Sequence, residues 1–114
     1  MYEKLTIYPR SKRHFRGHRD YVKGTIKYHP NYVFGETSKK YYSYGITEDE
    51  QYDKKHKNYP LTTNPGHSRP YKKSYIHKKP RSDLKGNYSA PYNNYNLHPA
   101  DKKYIDDKID KKYK

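Results

Sequence analysis

The chain is 114 residues long, enough for one small domain, and carries 26 Lys and Arg against 12 Asp and Glu, a formal charge of +14. It has no cysteine, which excludes disulfide staples and thiolate zinc sites, and no apolar run approaches the roughly 18 residues of a membrane-spanning helix. Leu, Ile, Val and Phe together number 14, below the roughly 20 % that separates globular from disordered chains, so any core must draw on the 17 tyrosines.

Residues 1–20 read as a flexible basic arm. Arg13, Arg16 and Arg19 recur every three residues with His14, Phe15 and His18 between them, and Pro9 and Gly17 argue against a long helix. The opening MYEKLTIYPRSKR has no apolar h-region, so no cleaved signal peptide is expected and a cytoplasmic protein is the simplest reading. The Lys, Tyr, Asn and Ile bias suggests an AT-rich genome such as that of a bacterium, phage or mobile element.

A single small domain is expected over 21–114. In YVKGTIKYH, Val22, Ile26 and Tyr28 alternate with Lys23, Thr25, Lys27 and His29, the pattern of a half-buried strand. His29-Pro30-Asn31 breaks that strand, Tyr32-Val33-Phe34 resumes it, and Tyr42, Tyr44 and Ile46 share one face of the next. Strands are thus expected at about 21–47 and again at 74–78. Residues 48–58 read as an exposed loop with four acids at its start. Pro60, Pro65, Gly66 and Pro70 make regular structure improbable over 59–73, and 80–97 reads as loop again.

The C-terminus predicts a helix over about 99–113. Pro99 suits its first position, Asp101 its first turn and Lys111 and Lys112 its last, while Ala100, Tyr104, Ile105, Ile109 and Tyr113 fall on one face. A helix of about 15 residues is marginal alone and needs something to dock on. The expected fold class is α+β: a small antiparallel β-sheet packed by a C-terminal α-helix, with a loose basic N-terminal arm and proline-rich loops.

Basic residues interleaved with aromatics are the strongest functional signal. Lys and Arg neutralise phosphates and release counterions, and tyrosine faces stack on unpaired bases for roughly 1–3 kcal/mol each. The candidate nucleic-acid-binding residues are Arg13, Arg16 and Arg19 of the arm and Lys23, Lys27, Lys39, Lys40 and Tyr41 of the strands, with Tyr28 beside them. The segment RPYKKSYIHKKPR adds Arg69, Tyr71, Lys72, Lys73, Tyr75, Lys78, Lys79 and Arg81. RNA or single strands are favoured over duplex DNA because tyrosines dominate rather than a recognition helix.

Acid–base chemistry on RNA is the alternative. It needs one group to take the 2′-OH proton, a second to protonate the leaving oxygen, and cations on the phosphate. His29 and His77 are the candidate catalytic pair, and His18, Lys27, Arg69, Lys73, Thr47 and Tyr75 are of suitable chemical type. In outline, sheet plus helix resembles the compact ribonucleases and toxins of the barnase-, RelE- and colicin-like group, which would imply metal-independent endoribonuclease activity. The resemblance carries no diagnostic motif and transfers no residue role. Binding is favoured over catalysis. A basic structural component of a ribosome or phage particle is a further alternative.

No cofactor is expected, since GxGxxG and the phosphate-cradling Gly/Lys/Ser loop are both missing. No metal site is expected either. His14 and His18 have i,i+4 spacing, but Arg13, Arg16 and Arg19 surround them and repel a cation.

Overall fold

The structure, a computed structural model, describes residues 4–62 and 73–113. Its strands are β1 (Thr6–Ile7), β2 (His14–Val22), β3 (Thr25–Glu36), β4 (Lys40–Thr47), β5 (Tyr59–Pro60), β6 (Tyr75–Ile76), β7 (Arg81–Leu84) and β8 (Tyr88–Pro91), and its helix is α1 (Pro99–Tyr113). They build one antiparallel sheet in the order β5-β6-β4-β3-β2-β8, with β1 on β3 and β7 on β4. The fold is α+β, as the sequence predicts. No helix among the described residues is long and apolar enough to cross a membrane.

Tyrosine does stand in for the missing aliphatics. The register pairs Phe15 with Tyr32 and Tyr32 with Tyr44, which puts all three on one face of β2, β3 and β4 together with Phe34 and Ile46. Helix α1 covers this face with Ile105 and Ile109, 2 % and 0 % exposed. Tyr113 packs its ring on Phe34 with centroids 5.2 Å apart. Of the expected apolar stripe, Ala100 is exposed, and Tyr104 stacks on Tyr59 at the rim, rings 4.0 Å apart. The helix also buries Asp101 and Asp106. Asp101 accepts from the Thr62 amide and hydroxyl at 2.7 and 2.8 Å, so its first-turn charge ties the helix to the chain that follows β5.

The described part of the expected arm, residues 4–20, departs most from expectation. A loose arm was predicted, yet residues 14–20 are the first seven of β2, paired along their length with β3. The physical reason is Arg13, whose side chain is fully buried. Its guanidinium donates to Tyr8 O at 3.0 Å, Asp106 Oδ1 at 2.9 Å and Asp110 Oδ1 at 2.6 Å, binding the N-terminal segment to α1. Arg10 adds Asp107 and Asp110 from the surface, each at 2.7 Å.

These pairs make stability depend on acid. The Arg13 hydrogen bond, with that from Arg10, holds the Asp110 carboxyl down at about 2, and the Lys103 and Arg10 hydrogen bonds hold Asp107 below the carboxylate range. A carboxyl lowered in the fold contributes stability above its unfolded value of about 4 and loses it as pH falls through the folded value. Thermal melting followed by circular dichroism should therefore fall steeply between about pH 4 and pH 2. The fall should be shallower in Asp110→Asn; an identical slope in both proteins would contradict the clamp.

The segment 80–97, expected as loop, contains β7 and β8. Strand β7 runs on β4 and β8 on β2, so the chain between them crosses the sheet face opposite α1. Tyr88 on β8 reaches Ser43 with its hydroxyl at 3.0 Å and packs edge-on against His18. The expected break at Pro30 is also absent, and β3 runs unbroken from 25 to 36. Proline lacks an N–H, and Pro30 sits opposite Gly17 just beyond the last β4 pair, Asn31 with Gly45, so no β4 partner is needed there.

Candidate nucleic-acid interface and the histidine cavity beside it

Strands β2 and β3 outrun their neighbours. β8 pairs with β2 only at Arg16 and His18, and β4 pairs with β3 only from Asn31 onward, which leaves residues 19–28 as a two-stranded ribbon. Its tip is a two-residue loop, Lys23 and Gly24, with φ of 51° and 78°. Positive φ at both central residues is the primed turn whose twist matches the strands it joins. Glycine adopts it freely, whereas lysine does so at a cost of roughly 1 kcal/mol.

The ribbon overturns the reading of 21–29 as one half-buried strand. Tyr21 pairs with Ile26 and Arg19 with Tyr28, so these four share a face. That face extends past α1, and Tyr21, Ile26 and Tyr28 are 71 %, 41 % and 51 % exposed. Arg19, Lys23 and Lys27 are exposed as well, and none makes an ion pair among the described residues.

At the base of the ribbon lies an open cavity of about 690 Å³, whose wall includes Asp20, Tyr28, His29, Thr47, His77 and Arg81. Asp20 is its hub. Its Oδ2 lies 3.1 Å from His29 Nδ1, and its Oδ1 lies 3.1 Å from His18 Nδ1 and 3.4 Å from Arg81 Nη2. Burial pushes the Asp20 carboxyl up, but the His29 hydrogen bond, with Arg81 and His18 beside it, prevails and holds it below the carboxylate range. His18 itself is buried, its second ring nitrogen 2.7 Å from Asp83 Oδ2, so it braces the hub from behind.

His77 follows β6 and faces the cavity from the other side. Its amide donates to Gly45 O at 2.8 Å, and its ring lies so close to Gly45 that a Cβ there would sit 2.7 Å from the ring Cδ2. Glycine at 45 is what admits the ring. Burial, then the Arg81 charge, pushes His77 below the ordinary imidazole value despite Asp49 and Asp20. Its ring makes no hydrogen bond among the described residues. His29, by contrast, is held by its backbone as well, since Asn31 Nδ2 donates to His29 O at 3.0 Å.

The structure sorts the predicted site residues into groups. Arg19, Lys23 and Lys27 lie on the ribbon, Arg81 lies in the cavity wall, and Lys73, Lys78 and Lys79 are exposed on the segment that carries His77. His29 and His77, some 48 residues apart in the chain, line one cavity. Lys39 and Lys40 stand at the β3–β4 turn, the full twelve-residue length of β3 from the ribbon tip. Tyr41 is half-buried under Arg16, whose guanidinium carbon lies 4.6 Å from the ring centroid and which also donates to Ser89 O at 3.0 Å. Arg13 is committed to α1, and Tyr75 is buried. Arg69, Tyr71 and Lys72 lie outside the described residues. His14 and His18 are on a strand rather than a helix, and among the described residues no group of three His, Cys, Asp or Glu is placed to hold a metal ion.

Sequence reasoning missed Asp20 and Tyr21. The signal for Tyr21 was present: Lys23-Gly24 between two β-rich pairs is a two-residue hairpin loop. Asp20 carried no comparable mark, because two of its three partners, His29 and Arg81, lie 9 and 61 residues away in the chain. Comparison with protein-family models, curated proteins and solved structures finds no match to this chain.

Proposed function

We propose that the protein binds nucleic acid, RNA or single strands before duplex, through the β2–β3 ribbon and the basic segment around His77. The observation that carries this reading is the exposure of Tyr21 and Tyr28 on a ribbon flanked by Arg19, Lys23 and Lys27. Large rings left in water serve no core, and a ring face beside cations that make no ion pair among the described residues suits an unstacked base with its phosphates. Lys73, Lys78, Lys79 and Arg81 extend the cationic surface across the cavity. The formal charge of +14 supports the same reading, since phosphate neutralisation relieves self-repulsion within the chain.

A gel-shift titration with single-stranded RNA, single-stranded DNA and duplex DNA tests it. Replacing both Tyr21 and Tyr28 by Ala should weaken single-strand binding at least about 30-fold, the effect of roughly 1 kcal/mol per lost stack. Melting should hardly change, because both rings are exposed. Unaltered affinity would remove the tyrosines from the interface.

The turn supplies a second check with opposite signs. Lys23→Asn replaces a strained residue by one that tolerates positive φ, so stability should rise by up to about 1 kcal/mol. The same change removes a cation from the tip and should weaken binding. Loss of both stability and affinity would mean that the turn geometry is wrong.

A further inference from the structure

We infer that the cavity between His29 and His77 is a catalytic site that cleaves RNA by transesterification, with His77 as general base, His29 as general acid and Arg81 on the phosphate. The inference rests on the nucleic-acid reading and adds a reaction to it.

The two histidines are built differently. His29 lines the cavity, is 45 % exposed at its side chain, and has Asp20 facing its Nδ1, which fixes the ring and leaves Nε2 without a hydrogen-bond partner among the described residues. An imidazole backed by a carboxylate is oriented to deliver a proton from its outer nitrogen. Among the described residues no carboxylate hydrogen-bonds the His77 ring, which is packed on Gly45 and lies near the Arg81 charge. Burial and that charge favour its neutral form, the form a base needs. The two rings therefore sit in unlike surroundings, one set against a carboxylate and the other packed on Gly45 near a guanidinium. Among the described residues Arg81 has one carboxylate contact, at 3.4 Å, and its side chain is 42 % exposed, so its fork is open to a phosphate.

The substrate then brings its own nucleophile. Neutral His77 takes the proton of a ribose 2′-OH, O2′ forms a bond to phosphorus, and the P–O5′ bond breaks. Protonated His29 gives its Nε2 proton to the departing O5′. The products are a 2′,3′-cyclic phosphate and a 5′-hydroxyl, and solvent takes the proton gained by His77 and supplies the one lost by His29. No redox partner is involved. Tyr28, 51 % exposed, borders the cavity from the other face of the ribbon, where its ring can take a base of the same strand. Asp49 lines the cavity too and is the competing candidate for the base.

The full chain is incubated in EDTA with an end-labelled single-stranded RNA and with the DNA of the same sequence. RNA should be cut to 2′,3′-cyclic phosphate ends and the DNA left whole. His77→Ala and His29→Ala should each lose roughly 10²–10⁴ in rate. Binding of the uncleavable DNA by each variant shows that it has folded. DNA binding without RNA cleavage would overturn the catalytic assignment and leave the binding reading standing, whereas failure to bind either strand would sink both. Cleavage undiminished in both histidine variants would mark a contaminant and overturn the proposal. Cleavage lost in Asp49→Asn but kept in His77→Ala would overturn the assignment of the base.

Discussion

Replacing Arg13 by methionine should destabilise the protein by about 3 kcal/mol or more. Arg13 is fully buried, and Asp106, its partner, is 1 % exposed. Removing the guanidinium leaves a carboxylate in the interface between the sheet and α1, where, among the described residues, Tyr32 at 2.9 Å and Lys102 at 2.7 Å remain to satisfy it. It also releases Asp110 and the carbonyl of Tyr8. Breaking a buried pair from one side typically costs 3–5 kcal/mol, and Lys102 keeps the expected loss toward the lower end. A domain of this size has a total of about 5–15 kcal/mol, so the variant should be far less stable or unfolded at 37 °C. Urea unfolding followed by circular dichroism measures it. Arg13→Lys should lie between the two, since an ammonium lacks the planar fork that reaches two carboxylates and a carbonyl together. A loss below about 1 kcal/mol would place Arg13 on a free arm.

This one residue shows why part of the fold was legible in the sequence and part was not. The helix at 99–113 was readable because Ile105 and Ile109 recur at helical spacing after a proline start, and Tyr42, Tyr44 and Ile46 marked β4 by alternation. Both are local patterns. Arg13 reads as one more cation in a basic run, and its burial depends on Asp106 and Asp110, more than 90 residues later. The strands in 81–91 hid for a related reason. Tyr88 alone of their eight residues is buried, so no hydrophobic period announces them.

The candidate site divides in the same way. The basic-aromatic character of 19–28 was plain, but Val22, Ile26 and Tyr28 read as a half-buried face because nothing in the residue pattern tells that the neighbouring strands stop short. His29 and His77 were nameable from their chemical type and from the strands that flank them. The difference between their surroundings was not, since it rests on Asp20 beside one ring and Gly45 under the other.

The location of the interface is the claim on which the rest depends, and charge reversal at matched sites tests it. One variant carries Arg19→Glu, Lys23→Glu and Lys27→Glu on the ribbon. The other carries Lys39→Glu, Lys40→Glu and Lys111→Glu, three exposed lysines off the ribbon. Both change the net charge equally, so a protein that binds by overall charge would respond equally to each. Affinity for a single-stranded RNA is measured from 50 to 200 mM salt. The unaltered protein should weaken by roughly 10³, as six or more phosphate contacts require. The ribbon variant should bind far more weakly and lose about 2 from the slope of log affinity against log salt, the share of three contacts to a single strand. The second variant should keep the original slope. Equal losses in the two variants, or a change of less than about threefold across the salt range in the unaltered protein, would contradict a nucleic-acid interface on the ribbon.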